Sequence, residues 1–246
     1  MKKLLWLTLC LIFVFHNQCL AQKNVTLANE TSWAPYYGKD LHKGGYIAEV
    51  IRQAFKTVGY DLKIKWMPWK RALVSAEKGV VDGLGGAYYT EERAKKFLYS
   101  DSFESTQVVF CKMKDNPVKY EKIEDLKGYK IGIGRGYGLP EIIKNADYLS
   151  FDEAVNFEQN MKKLHRKRID LLINSKMIIL DMINKKFPHL KDKIEFIGKP
   201  LEEETIHIVI SKKIPNGQTI INDFNKGLKI IEQNGYLKKI KDEFGF

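Results

Sequence analysis

The sequence predicts an α/β protein made of two lobes joined by two crossing strands. Hydrophobic periodicity switches between the strand and helix repeats in two successive blocks of about 90 residues. The final ~40 residues are too few to bury a core alone, so they must pack on an earlier lobe. Cys111 is the only cysteine left once the N-terminal leader is set aside, so the apolar core rather than an internal disulfide must hold the fold.

The leader has three parts. Lys2 and Lys3 make a positive start, Leu4 to Phe15 is an almost unbroken apolar run, and Cys19-Leu20-Ala21 places small residues before a cut at Gln22. This is the pattern of a secretory signal peptide over residues 1–21. The apolar run has about 12 residues, short of the ~20 that a membrane-spanning helix needs, and no later stretch qualifies. His16-Asn17-Gln18 lack the small and aliphatic residues that lipid modification at Cys19 would want. The expected mature chain is therefore free of a lipid anchor and resident in a periplasm.

The formal charge is +11, from which Lys2 and Lys3 depart with the leader. The excess is spread over lysine-rich helix faces such as Lys162, Lys163, Arg166, Lys167 and Arg168. An exported chain seldom meets nucleic acid, so no nucleic-acid partner is expected. The field favours anionic ligands instead.

Asn24–Ala28 reads as the first strand and ends in the polar and aromatic loop Glu30-Thr31-Ser32-Trp33-Ala34-Pro35-Tyr36. Ile47, Val50, Ile51, Ala54, Phe55 and Val58 recur at helical spacing, and Gly59 stops them. Leu62, Ile64 and Trp66 alternate as a strand does; Trp69 to Lys78 reads as a helix; Val80–Leu84 reads as a short strand. This β-α-β-α-β order with short connections predicts a parallel sheet covered by helices.

Gln107–Met113 is another strand, and the pattern restarts after Asp115-Asn116-Pro117. A short helix is expected around Ile123–Leu126, a strand over Lys130–Ile133, a Gly-rich turn, and a helix from about Leu139. Ala154, Phe157, Met161 and Leu164 share one helical face; strand Ile169–Ile173, a helix near Met177–Asn184 and strand Ile194–Ile197 follow. Thr205–Ser211 is a strand, and Ile220, Ile221, Phe224, Leu228 and Ile231 mark a helix ended by Gly235. One short amphipathic helix closes the chain. If this tail returns to the first lobe, strands near Val108–Met113 and Thr205–Ile210 cross between lobes and make a hinge. The expected division is 22–110 with 207–246 as lobe 1, and 111–206 as lobe 2.

The run Gly83-Leu84-Gly85-Gly86-Ala87-Tyr88-Tyr89-Thr90-Glu91-Glu92-Arg93, followed by Phe97-Leu98-Tyr99-Ser100-Asp101, resembles the T-x-x-R…(F/Y)-S segment of extracellular solute-binding proteins of family 3. These are the periplasmic polar-amino-acid-binding components of ABC transporters. Glu124-Asp125-Leu126-Lys127-Gly128, Ile131-Gly132-Ile133 and Arg135-Gly136-Tyr137-Gly138 resemble the start of that family's second lobe. Trp33-Ala34-Pro35-Tyr36 and Gly45-Tyr46-Ile47 look like its opening loop and first helix. The resemblance implies a type II periplasmic-binding-protein fold, ABC transporter membrane subunits as partners, and a small carboxylate-bearing, amino-acid-like solute as ligand. A monomer is expected.

On this resemblance Arg93 stands where the family holds the ligand carboxylate, and its planar guanidinium suits a two-oxygen acceptor. Gly86 and Tyr88, with Gly85, lie at the strand end before it, where glycine allows close approach to the backbone. Arg135, Tyr137 and Gly138 precede the expected helix start, where unpaired N–H groups make an anion site. Trp33 and Trp69 match the family's aromatic walls, with Tyr36 a further aromatic candidate, and such rings suit an apolar or cationic ligand body. Amino-acid binders of the family carry an acid five positions beyond the Asp of an R-x-D strand; Arg168-Ile169-Asp170 is followed there by Ser175. Either Glu30 supplies the counter-charge, or the ligand lacks an ordinary α-ammonium. Asp170 itself reads as structural.

The five histidines (His16, His42, His165, His189 and His207) have no metal spacing, and no nucleophile stands beside a base. No metal, cofactor or catalytic residue is expected. Two alternatives remain open from the sequence: a sensory module for a membrane partner, and a dehydratase-like enzyme of the cyclohexadienyl type with Glu30 as its acid–base candidate.

Overall fold

The computed structural model describes residues 23–246, so the leader predicted over residues 1–21 lies outside the described residues. β1 (Lys23–Glu30) runs parallel to β4 (Tyr60–Met67) along its whole length. It continues two residues past the predicted end, because the polar side chain of Asn29 is satisfied inside the sheet. The Asn29 amide donates to the Gly85 carbonyl at 2.9 Å and accepts from the Gly85 N–H at 3.0 Å. β2 (Ser32–Trp33) and β3 (Tyr37–Gly38) form a small hairpin over the sheet end, and α1 (Tyr46–Thr57) buries the predicted apolar face.

α2 (Trp69–Glu77) follows Pro68, whose fixed φ and missing donor suit a helix start. The next strand corrects a prediction. β5 spans Gly83–Tyr88, not Val80–Leu84, and Val80 is exposed. Gly83 and Gly85 are there for close packing, whereas Gly86 has a φ of +123°. A Cβ on Gly83 would lie 1.8 Å from the Val209 carbonyl oxygen, and one on Gly85 would lie 2.4 Å from the Asn29 amide oxygen. α3 (Glu91–Ala94) and β6 (Phe97–Tyr99) complete this part of the chain.

β7 (Glu104–Met113) leads into the second half. After a 3-10 turn at Ile123–Leu126 come β8 (Lys130–Gly134), α4 (Glu141–Lys144) and β9 (Ser150–Ala154), an edge strand parallel to β8. The helical spacing places Ala154 on the following helix, but in the structure it pairs with Gly134 at the end of β9. α5 (Phe157–His165) starts only after Asn156, whose side chain accepts from the Gln159 N–H at 3.0 Å. β10 (Leu171–Ser175) and α6 (Lys176–Lys186) follow. Asp170 accepts from the Lys130 N–H at 2.8 Å, the structural role read for it.

The two strands predicted near Ile194 and Thr205 are one 18-residue element, β11 (Ile194–Ser211). α7 (Gly217–Gln233) and α8 (Tyr236–Phe244) return to α1, with Phe224 against Phe55 at 5.1 Å between ring centroids. The sheet order is β4-β1-β5-β11-β7-β10-β8-β9, with β6 also paired to β11. Its flanks, β4-β1-β5 and β10-β8-β9, are internally parallel, whereas β7 and β11 run antiparallel to their neighbours. These two strands are the crossing connections. Their mutual pairing is interrupted between Ile197 and Glu202.

Candidate ligand-binding site

The parallel strands aim their carboxyl ends at one place, the position where open α/β sheets bind ligands. Glu30 ends β1 and Tyr88 ends β5 at the central cavity, while Gly134 ends β8 and Ser175 ends β10 at a smaller hollow beside it. Between the halves lies a cavity of about 30 Å³ lined by Glu30, Trp33, Trp69, Gly86, Tyr88, Arg93, Tyr137 and Gly138, together with Tyr37 and Ala87.

Arg93 is positioned by its own helix. Thr90 precedes α3, and its hydroxyl accepts the Arg93 N–H at 3.1 Å. The side chain turns inward and is only 7% exposed. One guanidinium nitrogen donates to the Tyr88 carbonyl at 3.1 Å and another to the Gly136 carbonyl at 3.0 Å. The guanidinium carbon lies 5.3 Å from the centre of the Trp69 ring. Burial lowers the Arg93 pKa from its ordinary value, but an arginine keeps its proton inside proteins.

Glu30 faces the same cavity and is 3% exposed. Its carboxylate accepts from the Tyr137 hydroxyl at 2.7 Å. Burial pushes its pKa up to about 7, a rise that the Tyr137 hydrogen bond partly offsets. The rest of the wall is largely aromatic. Trp33 lies 5.0 Å from Tyr37 and 5.7 Å from Tyr88, and Trp69 meets the edge of Tyr137 at 6.5 Å. Such a wall can hold an apolar or cationic body, with an anionic end at Arg93 and a donor end at Glu30.

Two sequence-derived candidates lie elsewhere. Arg135 is exposed and pairs with Glu153 at 3.2 Å. Ser175 is fully buried in a chain of hydroxyls: Tyr36 donates to Thr106 at 2.8 Å, and Thr106 is bonded to Ser175. Ser175 lines a separate hollow of about 10 Å³ with Tyr88, Tyr137 and Gly138. The helix expected from Leu139 is the four-residue α4, starting at Glu141 behind Pro140. Instead of helix N–H groups, the preceding turn offers the Gly136 carbonyl, which accepts from Arg93 and, at 2.9 Å, from the Trp69 indole.

Sequence reasoning chose Tyr36 and missed Tyr37. The hairpin explains why: Trp33 and Tyr37 are cross-strand partners and share a face, while Tyr36 turns to Thr106. Among the described residues there is no group of three His, Cys, Asp or Glu side chains placed to hold a metal ion, and no helix long and apolar enough to cross a membrane.

Comparison with known proteins gives concordant findings. The L-cystine-binding protein TcyJ of Escherichia coli (strain K12) is 20% identical over 214 residues, covering 85% of this chain and 77% of that protein. The arginine-binding extracellular protein ArtP of Bacillus subtilis (strain 168) is 23% identical over 234 residues, covering 91% and 86%. The crystal structure of a histidine kinase sensor domain with similarity to periplasmic binding proteins superposes with a TM-score of 0.80 at 16% identity, over 91% of this chain and 96% of that one. The sequence model of the bacterial extracellular solute-binding proteins, family 3, matches residues 25–246. With its two α/β halves, two crossing strands and a cavity between them, the chain belongs to the bacterial extracellular solute-binding proteins, family 3.

Proposed function

We propose that this chain is the periplasmic capture component of an ABC importer, and that it takes an amino-acid-like solute with its carboxylate on Arg93 and a cationic group on Glu30. Family membership makes it a solute-binding protein rather than an enzyme. One observation carries the ligand assignment: a buried guanidinium and a buried carboxyl face a single aromatic-walled cavity between the halves. Curated relatives bearing arginine-binding and cystine-binding names support an amino-acid-like ligand. Residues 22–110 with 207–246 form lobe 1 in this reading and 111–206 form lobe 2, a division supported by the change of strand direction at β7 and β11. Gly86, Tyr88, Trp33, Trp69, Tyr137 and Gly138 form the wall around the solute.

Thermal melting of the purified chain with L-arginine, L-cystine, keto acids and dicarboxylates tests the proposal. A cognate solute at a hundred times its Kd is expected to add about 2.7 kcal/mol of stability, because it binds only the folded state. Arg93→Ala is expected to melt cooperatively and to lose that increment. A variant that keeps full solute stabilisation would remove Arg93 from the site.

A further inference from the structure

Three hollows meet at Tyr137. The central cavity of about 30 Å³, the hollow of about 10 Å³ beside Ser175 and an outer hollow of about 230 Å³ beside Lys70 and Lys96 all have Tyr137 and Gly138 in their walls. The Tyr137 ring packs against Gly134, where a Cβ would stand 2.6 Å from it. Its hydroxyl donates to Glu30 at 2.7 Å, while the carbonyl one residue earlier, at Gly136, accepts from Arg93 at 3.0 Å and from Trp69 at 2.9 Å. The 134–138 turn thus brings a donor to the buried acid and an acceptor to the buried guanidinium. Those are the two complements a dipolar solute would bring. A further polar group waits nearby: the Tyr88 hydroxyl, in the wall of two of these hollows, is buried without a hydrogen-bond partner among the described residues.

We infer that Tyr137 is a tethered occupant of the binding site and a specificity-determining residue: a solute enters by displacing its hydroxyl from Glu30 and the Gly136 carbonyl from Arg93, which joins the hollows into one chamber. This rests on the solute reading proposed above. Selectivity follows from what each contact demands. A solute with a carboxylate alone replaces the contact at Arg93 but leaves Tyr137 on Glu30 and the chamber divided. A solute that also carries a donor replaces both contacts and gains the space, and its swing-out of the ring opens the Tyr88 hydroxyl to it. The occupied arrangement lowers the apparent affinity of every solute by the fraction of molecules that hold it.

The test uses wild type, Tyr137→Phe and Tyr137→Ala, with the Phe variant keeping the ring as a safeguard against misfolding. Small-angle X-ray scattering and tryptophan emission are first recorded with no solute added. The occupant links the two halves, so Tyr137→Ala is expected to show a larger radius of gyration and Tyr137→Phe and Tyr137→Ala a red-shifted emission from Trp33 and Trp69. Calorimetry then uses L-arginine, which carries both groups, and valerate, which carries only a carboxylate. Tyr137→Phe is expected to bind L-arginine about tenfold more tightly than wild type, the scale of one lost competing hydrogen bond to a carboxylate. Tyr137→Ala is expected to bind valerate more tightly than wild type, because the chamber is no longer divided. Unchanged scattering and emission in both variants, or weaker L-arginine binding by Tyr137→Phe, overturns the inference. If L-arginine binds none of the three proteins while scattering and emission still shift, the occupant stands and the assignment of an arginine-like solute falls.

Discussion

A carboxyl removed from water, with a phenol rather than a cation on its oxygen, holds its proton more tightly than usual, and Glu30 is in that position. Its folded pKa of about 7 stands above the ordinary 4.5. Between those two values the folded chain binds more proton than the unfolded one, so Glu30 makes stability fall as pH rises from 4.5 towards 7. The whole effect is on the order of 3 kcal/mol. Glu30→Gln is expected to remove this slope, which urea titrations between pH 5 and 7.5 would read; an unaltered slope would assign it to another group. The same linkage governs binding. A cationic group placed on Glu30 stabilises the carboxylate, so solute affinity should rise through pH 7 and binding should release a proton. Calorimetry in buffers of different ionisation enthalpy measures that release, and proton uptake would place the cation elsewhere. Tyr37 shows why residue-level reading fell short. A sequence places two neighbouring tyrosines equally well near a site, and only the Trp33–Tyr37 pairing decides which of them faces it.

Elements with a repeating apolar face were legible, and elements set by a single close contact were not. α1 and α7 follow from their 3.6-residue periodicity, and their apolar positions are buried as expected. β5 is different, because Gly83, Gly85 and Gly86 have poor strand propensity, and the sequence pattern ends the strand at Leu84. They form a strand because β11 and the Asn29 side chain come so close that no larger residue fits at Gly83 or Gly85. Gly85→Ala should therefore expel the Asn29 amide and break both of its bonds to residue 85. The expected cost is about 2–3 kcal/mol, read as a lower denaturant midpoint, with a weaker hold on Glu30 next to Asn29. A midpoint equal to that of wild type would show that β5 tolerates a side chain there. β9 was lost for a related reason. Its Ser150–Ala154 segment is a half-exposed edge strand with no alternating apolar pattern, and Ala154 fits the helical face of α5 by chance.

At the scale of the whole molecule, α1 is covered by the last residues of the chain. α7 and α8 pack on α1, the Phe246 ring stacks on Tyr46 at 4.4 Å, and a Cβ on Gly227 would lie 2.0 Å from the Ala54 carbonyl oxygen. Lys23 and Asp223 add an ion pair across the same surface at 2.9 Å, though an exposed pair of this kind contributes little. β11 also has to cross back from the second half before β5 gains its neighbour. β5, which leads to Arg93, and α1 therefore gain their last neighbours only from the chain beyond β7, through contacts of very long sequence separation, which slow folding. A chain ended after Asn216 keeps every residue that lines the cavity but leaves the apolar face of α1 uncovered. Such a chain is expected to lose its cooperative thermal transition and all stabilisation by solute, followed by circular dichroism. A chain ended after Asn234 loses only α8 and the Phe246 stack. It should still melt cooperatively and still answer to solute, at a temperature lower by several degrees, as an order-of-magnitude loss of ~2 kcal/mol implies. If the chain ended after Asn216 still melted cooperatively and bound solute, the sheet and α1 would have a sufficient core without α7 and α8, and the placement of the site would not depend on the chain's return.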